Sequence, residues 1–257
     1  MELGVWGRQV LKRYRPLVRL ARSTEREYRA TRSRLSRGRL IRRYLATHEV
    51  GALHIGAYEN PLPGWLNTDI EIRHPSVVYL DATKPFPLPS DSFDYVYGEH
   101  LIEHLTYPNG LAMLRECCRV LRPGGIVRLA TPSLDVLVAL FTPNKTEMQK
   151  RYIRFMSDTW LSHIGTSSEA LVVNNTFRNW WHQFIYDRST LQAAMETAGL
   201  TAVGAYAYGE SDVSALRGLE SHGRDHGSEG QAVAHYETMA LEGTKPAARA
   251  APSGPRR

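Results

Sequence analysis

The stretch FDYVYGEHLIEHL, residues 93–105, joins two patterns. Its first half is rich in aromatic residues and ends at Gly98 and Glu99, which is typical of a buried strand that stops at polar residues. Its second half contains His100-x-x-Glu103-His104, the order of an inverted zinc-protease motif. On a helix, His100 and His104 would lie on one face and could share a metal ion. The rest of the chain decides whether this turn binds a metal or has another use.

Short apolar runs surround this stretch and end in acidic or turn residues. Four of them predict strands: ALHIG (52–56), WLNTDI (65–70), VVYLD (77–81) and GIVRLATP (125–132), the last after an RPGG turn. NGLAMLRECCRVL (109–121) has a helical period, so Cys117 and Cys118 are predicted on a helix with one of them in the core. Strands separated by helical connections predict an α/β fold with a mostly parallel sheet and helices on both faces.

The second half of the chain continues the alternation. Residues 133–141 and 147–164 predict helices, and 172–187 is an aromatic and polar stretch. STLQAAMETAGL (189–200) predicts a helix with Ser189 as its cap and Gly199 at its end. Two last strands are predicted at 200–208 and 236–245, with a mobile loop at 223–231 between them.

Charge is concentrated at the N-terminus. Residues 1–47 carry 14 Lys+Arg and 3 Asp+Glu, whereas the whole 257-residue chain has a net charge of +6, so the remainder is acidic. We expect one or two basic amphipathic helices there, interrupted near Pro16 and Gly38. Such an arm packs on the body, contacts an anionic membrane surface or pairs with a second copy in a homodimer. Nucleic acid is a less favoured partner, because the body itself is acidic.

Composition limits the location of the protein and the kinds of site it holds. No apolar run approaches the roughly 18 residues that a spanning helix needs, so we expect a cytoplasmic protein, at most peripheral to a membrane. The two cysteines are adjacent, which excludes a cysteine metal site. The Pro-, Ala- and Arg-rich tail at 246–257 is predicted to be disordered.

Polar and glycine residues recur where the predicted strands end. In an open parallel sheet, ligands bind beyond the carboxyl ends of the strands. Gly56 would let the backbone approach a ligand, and Asp69 could accept hydrogen bonds from both hydroxyls of a ribose. Asp81 and Ala82 end the third strand and could border an adenine ring, while Glu99 and His100 end the fourth.

The quoted motifs resemble a known enzyme class. LHIGAYENPLPGWLNTDI, then FPLPSDSFDYVYGEHLIEHL, then RVLRPGG is similar to the class I S-adenosylmethionine-dependent methyltransferases, especially a type 11-like bacterial branch associated with glycan pathways. The resemblance implies a Rossmann-like, seven-stranded, mostly parallel sheet whose last strand is antiparallel. It divides the chain into the arm (1–47), a methyltransferase domain (48–245) with a helical and aromatic insertion around 133–187, and the tail (246–257).

The same resemblance implies the cofactor, S-adenosyl-L-methionine, and its contacts. Gly56 and Tyr58 would border the methionine part, Asp69 the ribose, Asp81 and Ala82 the adenine, and Glu99 and His100 the sulfonium, with Ile70 as a further cofactor contact. The chain departs from the family in its first loop, which reads Gly56-Ala57-Tyr58 where most members have Gly-x-Gly. The connection from Gly56 to Asp69 is also too short for a regular helix.

Methylation of a hydroxyl would benefit from a general base. The candidates are His100, His163, His182 and, less favoured, Glu99, and His100 and His182 are the predicted catalytic residues. Trp180, Trp181 and Tyr186 would present flat faces to a saccharide or other small acceptor, or would form a packed aromatic lid. Zinc is disfavoured because no downstream His or Glu supplies a third ligand at a familiar spacing, so no metal is predicted.

Three functions follow from these observations. The favoured one is a methyltransferase for a small or glycan-linked acceptor, with O-methylation expected. A second is an inactive methyltransferase-like scaffold, which the missing second glycine favours. The third, a nucleic-acid methyltransferase, is suggested by the basic arm but lacks the D/N-P-P-Y/F type of motif after the fourth strand.

Overall fold

A computed structural model describes residues 5–247, although the side chains of residues 5–23 and of Arg26 are outside that description. The predicted disordered tail therefore lies outside the described residues from residue 248 onward. Among the described residues, every helix is too short or too polar to cross a lipid bilayer.

The body is built on one seven-stranded sheet, which confirms the predicted α/β fold. Its strands are β1 (Ala52–Ile55), β2 (Leu66–Asp69), β3 (Val78–Tyr79), β4 (Phe93–Glu99), β5 (Leu121–Pro132), β6 (Thr201–Tyr206) and β7 (Thr238–Thr244). They lie in the order β3-β2-β1-β4-β5-β7-β6. Only β7 runs antiparallel to its neighbours, as the resemblance implied.

Seven α-helices accompany the sheet in the described part of the chain. They are α1 (Val5–Thr47), α2 (Tyr107–Val120), α3 (Leu134–Ala139), α4 (Glu147–Trp160), α5 (Glu169–Arg178), α6 (Arg188–Thr197) and α7 (Gly227–Glu237). In α2, Cys117 is fully buried and Cys118 is partly exposed, so both are helix residues and one is in the core, as predicted.

The predicted interruption of the arm is wrong, because α1 is continuous through Pro16 and Gly38. Its second half is held by the body. Ile41 and Tyr44 belong to the main hydrophobic core, and the Ser33 hydroxyl accepts a hydrogen bond from the backbone N–H of Tyr79 at 2.9 Å. Such packing outweighs the roughly 1 kcal/mol that a glycine costs inside a helix.

Two other sequence predictions are corrected. The side chain of Asp187, not that of Ser189, caps α6, because its Oδ1 accepts from the backbone N–H of Thr190 at 2.8 Å. The predicted loop at 223–231 contains a short 3-10 turn and the first turns of α7. Val233 of α7 is buried in a second apolar cluster that also includes residues of α4, and this packing stabilises a glycine-rich helix.

A polar cluster replaces a helix in the short β1–β2 connection. The Asn67 side chain accepts from the backbone N–H of Leu62 at 2.7 Å and donates to the carbonyls of Leu62 and Trp65. The ring of His54 lies 3.1 Å from Asn67 Oδ1. These bonds fix the connection without a regular crossover helix and place the end of β2 beside the end of β1.

His54 makes the fold sensitive to acid. Burial lowers the pKa of His54 to about 4, against about 6.5 in the unfolded chain. Between these values the unfolded chain binds more protons, so the stability contributed above pH 6.5 is lost as the pH falls towards 4. We expect a loss on the order of 3 kcal/mol, which urea unfolding at several pH values measures. His54→Gln should have a shallower pH slope; equal slopes would contradict the account.

Candidate functional site

The carboxyl edge of the sheet brings together the ends of β1 and β2. Gly56 has φ 79°, and the backbone N–H groups of Gly56 and Ala57 both donate to the carbonyl of Thr68, at 2.9 and 3.0 Å. A side chain at position 56 would be strained at this φ and would contact Leu101 at 3.2 Å. Glycine is therefore required at the first turn of this loop.

Asp69 binds the backbone of two segments at the same edge of the sheet. Its Oδ2 accepts from the backbone N–H of Tyr58 at 2.9 Å, and its Oδ1 accepts from that of Glu71 at 2.7 Å. Burial raises the pKa of the Asp69 carboxyl, against the effect of these backbone hydrogen bonds. Tyr58, in the position of the second glycine, has φ 42° and a side chain that is 43% exposed, so it borders the edge without filling it.

The next strand end carries a second carboxylate. Asp81 Oδ1 accepts from the backbone N–H and the hydroxyl of Thr83, at 2.9 and 2.7 Å, in a turn that follows β3. Ala82 packs partly against the core, and Ile70 is exposed between the two acidic residues. The predicted adenosine contacts thus lie on adjacent strand ends.

Glu99 ends β4 and holds a distant segment. Its carboxylate accepts from the backbone N–H groups of Ser221 and His222, each at 2.8 Å, and from the Ser221 hydroxyl at 3.0 Å. A second group of hydrogen bonds also fixes loop 207–222, because the Arg128 side chain donates to the Glu220 carboxylate and to the carbonyl of Glu210. The segment before α7 is thereby fastened to the end of β4.

His100 is mostly buried, and protein groups lie near both of its ring nitrogens. It has φ 46°, its Nδ1 lies 3.2 Å from Glu103 Oε1, and its Nε2 lies 3.2 Å from the Thr238 hydroxyl. Its ring stacks on that of His222 at 3.7 Å. Burial alone would lower the pKa of His100, but the Glu103 carboxylate raises it above its ordinary value. Both ring nitrogens of His100 therefore face protein groups.

The H-x-x-E-H motif is not on an α-helix. Residues Ile102–His104 form a 3-10 turn, and His100 precedes it in a left-handed conformation, so the two histidines face different neighbours. The ring of His104 meets that of His182 edge-on at 4.8 Å. The Nδ1 of His182 lies 2.7 Å from the carbonyl oxygen of Thr176, so this nitrogen is engaged by the backbone and Nε2 is not part of that contact.

The remaining candidates are distributed around this turn. His163 is exposed in a 3-10 turn after α4. Trp181 is 87% exposed, whereas Trp180 packs edge-on against Trp160. The structure therefore brings His182, but not His163, into contact with the motif.

Sequence reasoning missed two partners of this turn, His222 and Glu237. Glu103 is fully buried and its Oε2 accepts from the Thr131 hydroxyl at 2.9 Å. His222 and Glu237 also approach His100, from segments more than 120 residues away in the chain. His222 lies in a polar, glycine-rich stretch and Glu237 begins a predicted strand, so no local pattern signalled either one.

Comparisons with known proteins give matches to methyltransferases. Residues 64–129 match the family model described as a methyltransferase domain. A Mycolicibacterium smegmatis protein named as a probable S-adenosylmethionine-dependent methyltransferase is 39% identical over 64 residues, which are 25% of this chain and 22% of that protein. The match thus spans about a fifth of the curated relative.

Solved structures of similar shape include two methyltransferases. One, from Mesorhizobium loti, is 15% identical, with 80% of this chain and 95% of that chain covered and a TM-score of 0.44. The other is Haemonchus contortus phosphoethanolamine N-methyltransferase 2 with S-adenosyl-L-methionine, which is 14% identical, with 80% and 51% covered and a TM-score of 0.42.

The strand order and the polar strand ends define an open α/β domain of the class I methyltransferase type. Residues 64–129 of this domain are similar to a methyltransferase domain, and the curated relative is similar over 64 residues. S-adenosyl-L-methionine is the cofactor of this class. The residues present fit it: the Asp69 carboxylate could accept from a ribose diol with the lone pairs that its two backbone hydrogen bonds leave, and Gly56 keeps the neighbouring turn free of a side chain.

Proposed function

We propose that the protein transfers a methyl group from S-adenosyl-L-methionine to a hydroxyl of a small or saccharide acceptor. The observation that carries the proposal is the row of Gly56, Asp69 and Asp81 on three adjacent strand ends. In an open sheet this edge is where a nucleoside-containing ligand binds.

The cofactor, when bound, supplies a methyl group activated by a sulfonium. The chain would bind and orient it. Asp69 accepts hydrogen bonds from the ribose hydroxyls, Asp81 and Ala82 border the base, and the Gly56 turn lies against the methionine part. Alignment of an acceptor with the methyl group accounts for much of the rate in a displacement of this kind.

A cavity of about 360 Å³ supports an acceptor that is small or saccharide-like. It opens beyond β5 and β6, and the rings that line it belong to Tyr206, Tyr208, His235 and Tyr236. Asp135 and Arg188 add charged groups. Aromatic faces beside polar groups are suited to a sugar ring.

Thr238 lines the same cavity and contacts His100, which connects the cavity to the end of β4.

The inactive-scaffold alternative rests on Tyr58, which occupies the second glycine position with a positive φ. It predicts that the cofactor does not bind or is not consumed. The nucleic-acid alternative rests on the basic arm and predicts strong affinity for RNA or DNA that falls steeply with salt.

Release of S-adenosylhomocysteine in the presence of acceptors tests the proposal. The full chain is incubated with S-adenosyl-L-methionine and with saccharides that have free hydroxyls, and fully O-methylated versions serve as controls. We expect product release only with the free hydroxyls. Cofactor binding without turnover on any acceptor would favour the inactive scaffold.

A further inference from the structure

Three side chains around the 3-10 turn converge on one point. Glu103, His104 and His182 each place a ligand atom so that all three atoms lie within 4.8 Å of one another. Glu103 is fully buried, whereas the two histidines are partly exposed. A cation could therefore enter from the histidine side of the cluster.

Glu103 has a carboxylate oxygen that could bind a metal ion. Its Oε2 accepts from the Thr131 hydroxyl, whereas its Oε1 forms no hydrogen bond among the described residues and lies 3.2 Å from His100 Nδ1. A buried carboxylate oxygen that accepts no hydrogen bond costs free energy, which a bound cation would offset.

His182 is oriented as a metal ligand is. Its Nδ1 lies 2.7 Å from the Thr176 carbonyl, so this nitrogen carries the proton and Nε2 keeps its lone pair. A ligating histidine commonly donates its other N–H to a backbone carbonyl in this way, and Thr131 orients the Glu103 carboxylate similarly.

The backbone fixes the two halves of the cluster together. The N–H groups of Gln183 and Phe184 both donate to the carbonyl of Glu103, at 2.8 and 3.2 Å. The Gln183 side chain donates to the carbonyl of His104 at 2.6 Å. Three hydrogen bonds therefore hold the segment that carries His182 against the turn that carries the other two side chains.

We propose that Glu103, His104 and His182 bind one divalent first-row transition-metal ion of the zinc type. Two imidazoles and one carboxylate are a common ligand set for such ions, and three protein ligands leave a coordination position open. The third ligand that sequence spacing did not reveal is His182, from the loop after α5. Since a metal-bound nitrogen cannot accept a proton, this role excludes His182 as the general base.

The neighbouring group of His100, His222 and Glu237 is a poorer site. The rings of His100 and His222 stack with only 16° between their planes, so their nitrogen lone pairs run parallel and do not converge. His100 Nε2 is beside Thr238, and Glu237 Oε2 accepts from the Tyr152 hydroxyl at 2.7 Å. These side chains already have partners.

Cobalt titration of the metal-free, untagged full chain tests the assignment. Co²⁺ bound by this ligand set gives visible absorption, which Zn²⁺ should displace, and we expect one ion per chain. His182→Asn, whose amide can still donate to Thr176, should weaken binding at least ~100-fold, and His104→Asn should do the same. His163→Asn, an exposed histidine away from the cluster, should bind as the wild type does.

Circular dichroism and thermal melts establish that each variant is folded. The proposal is overturned if the folded wild type gives no saturable Co²⁺ absorption or if His182→Asn binds Co²⁺ normally. Loss of binding in His222→Asn with normal binding in His182→Asn would place the ion at the other cluster and also overturn it. None of these measurements depends on methyl transfer.

Discussion

Asp69→Ala is expected to weaken binding of S-adenosylhomocysteine by about 10- to 150-fold, because a hydrogen bond to a charged group contributes about 1.5–3 kcal/mol. Asp69 would accept from the ribose hydroxyls, and its bonds to the backbone of Tyr58 and Glu71 hold the loop beside the ligand. Isothermal titration calorimetry of the full chain gives the affinity directly.

Asp91→Ala is the matched control for that measurement. Asp91 is also a carboxylate, but it is 56% exposed and forms an ion pair with Lys245 at 2.7 Å, before the amino end of β4 and away from the carboxyl ends of the parallel strands. Its loss should leave the affinity unchanged. Equal affinities for wild type and Asp69→Ala would show that the end of β2 does not contact the cofactor.

Arg128→Met is expected to lower the free energy of unfolding by about 3–5 kcal/mol, the usual cost of removing one partner from a buried ion pair. Arg128 is fully buried and donates to Glu220 and Glu242, each at 2.7 Å. The substitution leaves two buried carboxylates without their cation. Urea unfolding measures the loss.

Two comparison variants keep this prediction testable. Arg122→Met removes an ion pair with Asp94 whose side chains are 41% and 30% exposed, and it should cost less than about 1 kcal/mol. If Arg128→Met does not fold, adding Glu220→Gln and Glu242→Gln should restore folding, because no buried charge then remains unpaired. A loss for Arg128→Met no larger than that for Arg122→Met would contradict the account.

The sheet was predictable because its strands are short apolar runs that end at turn or acidic residues, a pattern that local sequence carries. Strand β5 shows the limit of that pattern. Its pairing with β4 starts at Leu121, before the RPGG turn, and shifts register between Phe93 and Tyr95. A turn motif does not reveal such a bulge, because the partner strand determines the pairing.

The helix boundaries were less predictable from local sequence than the strands were, because they depend on tertiary contacts. Gly38 predicted a break in α1, but packing of Ile41 and Tyr44 on the body compensates for it. Residues 223–231 are polar and rich in glycine, and α7 exists because Val233 and Ala234 are buried. Neither compensation is visible within a local window of sequence.

The candidate site was predictable in part. Gly56, Asp69 and Asp81 were identifiable because they follow strands whose ends meet at one edge. The surroundings of Glu103 were not identifiable from the sequence, because His182 and Thr131 contact it from other segments of the chain. Contacts between segments so far apart in the chain leave no periodic signal.

We infer that the Gly56-Ala57-Tyr58 loop and Asp69 bind the cofactor S-adenosyl-L-methionine. Calorimetric titration of the folded full chain with S-adenosylhomocysteine, repeated with S-adenosyl-L-methionine, tests it most directly. We expect saturable binding of one ligand per chain for both compounds. The absence of binding to either compound would contradict this inference.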